Sequence, residues 1–221
     1  MAITRVSVGS FSDVFNAANT PTAGTFQIND FVFLFTGEYI GSDTISTPAG
    51  WTLCSPNNNA KQCALFGIQS LTGNESMPTL NWGVQWSWAV VVVYRGLQSL
   101  IPTQSGDRNT NSTQFITGPA STITPGQDNS LVIFFGCKTK TTTSNGATYG
   151  TLPSGFSLVT SDVPNGSRPA PMICENIQTS ATAIPTNSSV KASIADGTNQ
   201  ASQGIIMVFA PALPPCGFQC L

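Results

Sequence analysis

"WSWAVVVVYRG", residues 86–96, is the most apolar run in the chain. Between Trp88 and Tyr94 no polar residue alternates with an apolar one. A strand with one wet face alternates the two kinds, whereas a strand covered on both faces reads as a continuous apolar run. The stretch is therefore predicted to be a central strand of a sheet, buried between layers. It is far shorter than the ~18 residues of a membrane-spanning helix.

Similar segments precede it: "ITRVSV" at 3–8, "TFQI" at 25–28, "FVFLF" at 31–35, "GWTLC" at 50–54 and "CALFGI" at 63–68. Each is short, rich in β-branched or aromatic residues and bounded by Gly, Pro, Asn or Ser, which predicts strands. No stretch carries the sustained three-and-four spacing of an amphipathic helix. A single helical turn is expected only within "SDVFNAANT", 12–20.

The second half repeats the first. "NDFVFLF" at 29–35 matches "NSLVIFF" at 129–135, "PAGWTL" at 48–53 matches "PSGFSL" at 153–158, and "QWSWAVVVVYRG" at 85–96 matches "QASQGIIMVFAP" at 200–211. The growing offset places insertions in loops, so the chain reads as an internal duplication with halves near 3–100 and 116–210. One copy offers about six strands and two offer about twelve or thirteen, enough for two sheets packed face to face. The expected fold is all-β: an antiparallel two-sheet β-sandwich, jelly-roll-like, spanning 1–210 as one unit. Residues 97–119 would be the crossover between halves, and 211–221 a Cys- and Pro-containing tail. The Pro-x-Gly-aromatic elements at Pro48, Gly50 and Trp51, and at Pro153, Gly155 and Phe156, read as structural corners. Proline fixes its φ, glycine allows a positive-φ turn, and the aromatic residue starts the next strand by plugging the sandwich edge.

The order Asn29-Asp30 before an apolar strand, then Pro48, Gly50, Trp51, Thr52 and Leu53, then Trp88, Tyr94, Arg95 and Gly96, resembles a family of two-copy β-sandwich proteins found among tailed-bacteriophage structural modules and bacterial surface proteins. The likeness runs over most of residues 3–211, and the second copy departs from it by lacking the Trp, the Arg and the leading Asp. The resemblance implies a scaffold, with no catalytic set to carry over.

Composition narrows the chemistry. Only 8% of residues are charged, against roughly 25% in an average soluble protein, so the surface is coated with hydroxyls and amides. A net charge of −2, with basic residues scattered singly, offers no patch for nucleic acid or anionic lipid. The chain contains no histidine, which excludes Ser-His-Asp and Cys-His nucleophile systems. A glycosidase needs two carboxylates about 5–10 Å apart. Glu38, Asp43, Glu75, Asp107 and Glu175 are the acids considered for such a pair; Glu38 and Asp43 flank "YIGS" and read as solvated loop residues. Asp107, Asn109 and Asn111 in "GDRNTNS" alternate as calcium ligands do, but the segment lacks an EF-hand pattern and reads as a hydrogen-bonded Asx-rich loop. Arg95 is expected to pair with a carboxylate at its strand end.

Six cysteines leave two readings open. Cys54 with Cys63, and Cys216 with Cys220, have the spacing of small disulfide loops, and the alternative is reduced thiols, with Cys137 and Cys174 unassigned. Without histidine or a CxxC pair, zinc is not expected. Trp82, Trp86 and Trp88 are expected to fill the core, with a sugar platform on Trp82 and Trp86 as the alternative. The sequons at Asn74, Asn111, Asn165 and Asn187 follow from a Ser- and Thr-rich composition. The N-terminus lacks the pattern of a secretory signal.

The function expected is a non-enzymatic virion structural protein, a capsid decoration or cement protein, made in the host cytoplasm. Its partners would be capsid or other virion subunits, and it would form a homo-oligomer, binding neither nucleic acid nor membrane and needing no cofactor or metal. A carbohydrate-binding module of a tail fibre or adhesin is the alternative.

Overall fold

The computed structural model describes residues 2–15, 17–38, 45–56, 63–81, 86–113, 115–138, 151–161, 169–184, 191–193 and 200–214. Among these residues there is no helix, and thirteen strands are formed. The first half supplies β1 (Thr4–Val8), β2 (Ser12–Phe15), β3 (Phe31–Glu38), β4 (Thr52–Leu53), β5 (Cys63–Gln69) and β6 (Trp86–Arg95). The second supplies β7 (Gln104–Thr113), β8 (Phe115–Thr117), β9 (Ser130–Lys138), β10 (Ser157–Ser161), β11 (Ala170–Gln178), β12 (Lys191–Ser193) and β13 (Gln200–Phe209).

Each half fills one main antiparallel sheet, and β8 and β12 of the second half pair with each other as a separate two-stranded sheet. The first is ordered β1-β6-β3-β5-β4, with β2 also on β6; the second is ordered β7-β13-β9-β11-β10. Strands do not alternate between sheets along the chain, so the jelly-roll-like winding gives way to a sandwich whose layers are segregated by half. The two orders correspond strand for strand once β1 and β2 together are set against β7.

The central placement of residues 86–95 is observed: β6 pairs with β3 on one side and with β1 and β2 on the other. Side chains alternate between its two faces, and both are buried. Val90 and Val92 enter the core between the sheets, with Phe33, Phe35, Ile133, Phe135, Met207 and Phe209. Val91 and Val93 point outward into a separate cluster closed by Ile45, Trp51 and Leu80. The second sheet is built likewise: its outer face carries Val132, Phe134, Ile206 and Val208 beneath Ile116, Ile123 and Ile184. This gives three apolar layers from two sheets, and it is why the inner strands of both halves show no polar alternation.

The corners have matching backbones. Trp51 N–H donates to Pro48 O at 3.0 Å and Phe156 N–H to Pro153 O at 3.1 Å. Gly50 and Gly155 adopt φ of 80° and 81°, the left-handed conformation that the third position of a type II turn demands. The turns before β3 and β9 match as well, with Asn29 and Asn129 at φ of 70° and 59°.

Several local expectations are corrected. Trp51 does not plug the sandwich edge; it roofs the outer face of the first sheet. Residues 25–28 form no ladder, although Phe26 packs on that same roof. Residues 12–15 are strand β2, not a helical turn, because they pair with 86–89. The crossover is confined to the stretch between β6 and β7, since residues 104–113, read as loop, form a ten-residue edge strand on β13. At the start of the expected tail, Leu97 bridges Pro211, and Ala212 N–H donates to Gly96 O at 2.7 Å.

Candidate functional site

Among the described residues, polar contacts tie the sheets together toward both ends of the strands. Tyr94 lies opposite Phe31 at the start of β3, and Cys63 lies opposite Gly37 near its end. At the first end, Tyr94 Oη donates to Glu175 Oε2 at 2.6 Å and Arg5 Nη1 donates to Glu175 Oε1 at 2.8 Å. Tyr94 is fully buried, and burial together with the neighbouring carboxylate pushes its phenol well above the ordinary range. At the other end, Gln203 of β13, also buried, accepts the Cys63 backbone N–H at 3.0 Å through Oε1. Both contacts satisfy polar groups that would otherwise cost about 1–3 kcal/mol each in an apolar interior. Glu175, considered as one of a hydrolytic pair, is thus an inter-sheet acceptor held by a cation and a phenol.

Arg95 does pair with a carboxylate. Its Nε and Nη2 donate to Asp30 Oδ1 and Oδ2 at 2.7 and 2.9 Å, and Gln27 N–H donates to Oδ2 at 2.9 Å. Burial works to raise the Asp30 pKa, but the two Arg95 hydrogen bonds, the Gln27 N–H and the Arg95 charge together lower it. The pair fixes the start of β3 against the end of β6. Arg95 itself remains 41% exposed on its side chain.

Around this end the surface is grooved. One groove of about 390 Å³ runs beneath the first corner, lined by Gly50, Trp51, Gln69, Leu71 and Leu100. A second of about 350 Å³ shares Gln69 and is lined by Ile28, Asp30, Arg95, Leu97 and Ala212. Apolar side chains stand exposed at their rims, notably Leu71 at 77% and Ile28 at 55%, with Ile101 and Leu213 in the adjoining segments. Leu71 is displayed by a tightly braced loop: Glu75 accepts the N–H groups of Leu71 and Thr72 and the hydroxyls of Ser70 and Thr72. Although slight burial opposes it, these donors hold the Glu75 carboxyl down to about 2.

The sites considered from sequence do not converge. Glu38 is buried at the end of β3, not solvated in a loop; Glu75 braces a loop; Asp107 sits on β7; Asp43 lies outside the described residues. The segment containing Asp107, Asn109 and Asn111 is strand, so the Asx-rich loop is not formed. Among the described residues no group of three or more metal-ligating side chains gathers. No helix among them is long and apolar enough to cross a membrane.

Cys54 and Cys63 are buried thiols and are not joined to each other. Leu53 pairs with Phe66, which places Cys54 opposite Leu65 and two residues off register from Cys63. Diagonal neighbours in a sheet have side chains about 7–8 Å apart, whereas a disulfide needs Cβ atoms within about 3.5–4.5 Å. Burial pushes the Cys54 and Cys174 thiols up to about 12, and Cys137 higher still. Cys216 and Cys220 lie outside the described residues, as does Trp82. Trp88 fills the core and stacks on Phe11 at 6.1 Å. Trp86 is half-buried and meets Phe15, 54% exposed, at 5.2 Å with the rings tilted by 42°. No local pattern marks Phe15 in the sequence, because its place beside Trp86 comes from the pairing of β2 with β6.

No protein family, no curated protein and no solved structure matches this chain.

Proposed function

We propose that the chain is a non-catalytic structural component of a bacteriophage particle, a decoration protein seated on the outside of the capsid. One observation carries the reading. Exposed apolar side chains border two adjoining grooves at one end of the slab, where Ile28 and Leu71 rim a surface whose backbone is braced by Asp30–Arg95 and Glu75. A rigid surface of this kind binds without paying an ordering cost, and burying it across a joint between shell subunits stabilises the assembled state by mass action. The resemblance to two-copy phage and surface modules supports the same reading. The test is stoichiometry on purified particles: decoration predicts hundreds of copies per particle, and Leu71→Asp with Ile28→Asp should lower occupancy while leaving thermal stability unchanged. Absence from washed particles, or unchanged occupancy in the double variant, would reject the proposal.

A second reading has its own observation, the Phe15–Trp86 ring pair at the opposite end. As a carbohydrate-binding surface it would lose glycan-array signal in Trp86→Ala and in Phe15→Ala, with folding intact. We also infer that the two halves descend from one duplicated strand-and-corner unit.

A further inference from the structure

At the end of β6 remote from the grooves, the inner face of the first sheet finishes in two rings and a carboxylate. Register fixes their order: Phe15 lies opposite Trp86 and Asp13 opposite Trp88. Residues directly opposite in an antiparallel pair share a face, and Trp88 faces the core. Asp13, Phe15 and Trp86 therefore line that same inner face, with Asp13 about 7 Å along the strand from Phe15. Trp86 and Asp13 are half-buried, and Phe15 is 54% exposed.

We propose that Phe15, Trp86 and Asp13 form a site for a neutral pyranose, the rings stacking on its C–H face and the Asp13 carboxylate accepting hydrogen bonds from its hydroxyls. The proposal rests on the carbohydrate reading of the ring pair and adds to it the class of sugar. Strand β6 spans about 30 Å from Trp86 to Arg95, so this site and the grooves can be occupied at once by different partners.

Rival ligands fail on chemistry. Ring centroids 5.2 Å apart are in contact with each other, so no cage opens between them for a quaternary ammonium ion. A nucleobase would stack there too, but β2, and β6 as far as Tyr94, carry no lysine or arginine to hold its phosphate. An apolar protein side chain laid on the rings would strip water from the Asp13 carboxylate and give it no donor in return. A sugar covers the rings and supplies the donors. With no cation beside it on these two strands, the same carboxylate repels uronic and sialic acids, and this sets the neutral class.

The test is ligand-observed NMR on the full chain with the methyl glycosides of glucose, galactose and mannose, the matching uronic acids, and tetramethylammonium, each to about 10 mM, the range of a weak site. At least one neutral glycoside should bind, about tenfold tighter than its uronic acid. Asp13→Asn, which keeps the shape and removes the charge, should bring the two to within about twofold. Trp86→Ala should abolish binding, with the melting temperature checking the fold, and the exposed-site variant Phe15→Ala serves where the first misfolds. Uronic acids bound as well as neutral glycosides, or a preference unchanged by Asp13→Asn, overturns the proposal while the carbohydrate reading stands. Tetramethylammonium bound in place of any glycoside, or no ligand bound at all, overturns both.

Discussion

The two halves share a backbone and differ in the chemistry that covers it. Both sheets have one strand order, both corners close on a type II turn at Gly50 or Gly155, and both central strands enter from a left-handed asparagine, Asn29 or Asn129. Yet where the first half ties its strand ends by pairing buried Asp30 with partly exposed Arg95, the second has Ser130, whose hydroxyl donates to Gln127 O at 2.7 Å, and Ala210. Where the first roofs its outer face with buried Trp51, the second uses half-buried Phe156, edge-on to Phe134 at 6.3 Å. Turn geometry tolerates few residues, because a side chain at positive φ is strained. A roof or a strand-end tie can be built in several ways. Conformation is what the halves hold in common, and surface chemistry is where they part.

The sharpest break in the comparison is the roof. Trp51→Ala should cost about 3–5 kcal/mol in urea denaturation and Phe156→Ala about 1–2, because the first empties a closed cluster and the second a half-open one. Equal losses would mean that the roofs are equivalent. The inter-sheet contact comes next. Tyr94→Phe should cost about 1–1.5 kcal/mol by leaving Glu175 short of a donor, and a double-mutant cycle with Glu175→Gln should return a coupling of about 1 kcal/mol. Additive losses would show that Tyr94 and Glu175 do not act together.

The corners should instead behave alike. Gly50→Ala and Gly155→Ala should each cost about 1–2 kcal/mol, since both glycines hold positive φ, and an added Cβ at 50 meets nothing within 4 Å. A neutral result at either would show that the two corners are not equivalent. The smallest effect is acid sensitivity. The Asp30 carboxyl is held below its ordinary 3.8, so its stabilisation is present above that pH and lost as pH falls through the lowered value. Asp30→Asn should therefore lose stability at neutral pH, and the gap from wild type should close in acid. A gap independent of pH would count against the ion pair.

These contrasts also mark what was legible in the sequence. The apolar run at 88–94 and the two Pro-x-Gly-aromatic corners revealed the all-β sandwich, because each rests on a local rule of burial or turn geometry. "TFQI" misled, since apolar residues report burial and not pairing: Phe26 is covered without being in a ladder. "QSGDRNTNST" misled in the opposite direction, because an edge strand is held by its backbone and needs no apolar face. The inter-sheet acceptor Glu175 meets Tyr94 across 81 positions of chain, and no local pattern encodes that meeting. The cysteine spacing suggested a loop that the strand register of Cys54 and Cys63 denies.

All four tryptophans, Trp51, Trp82, Trp86 and Trp88, lie in the first half, so their fluorescence follows one sheet while far-ultraviolet circular dichroism follows both. Because one core draws Phe33 and Phe35 from the first sheet and Phe135 and Phe209 from the second, the two signals should fall on a single urea transition with one midpoint. Two separated midpoints, with fluorescence lost apart from the dichroism, would contradict a common core.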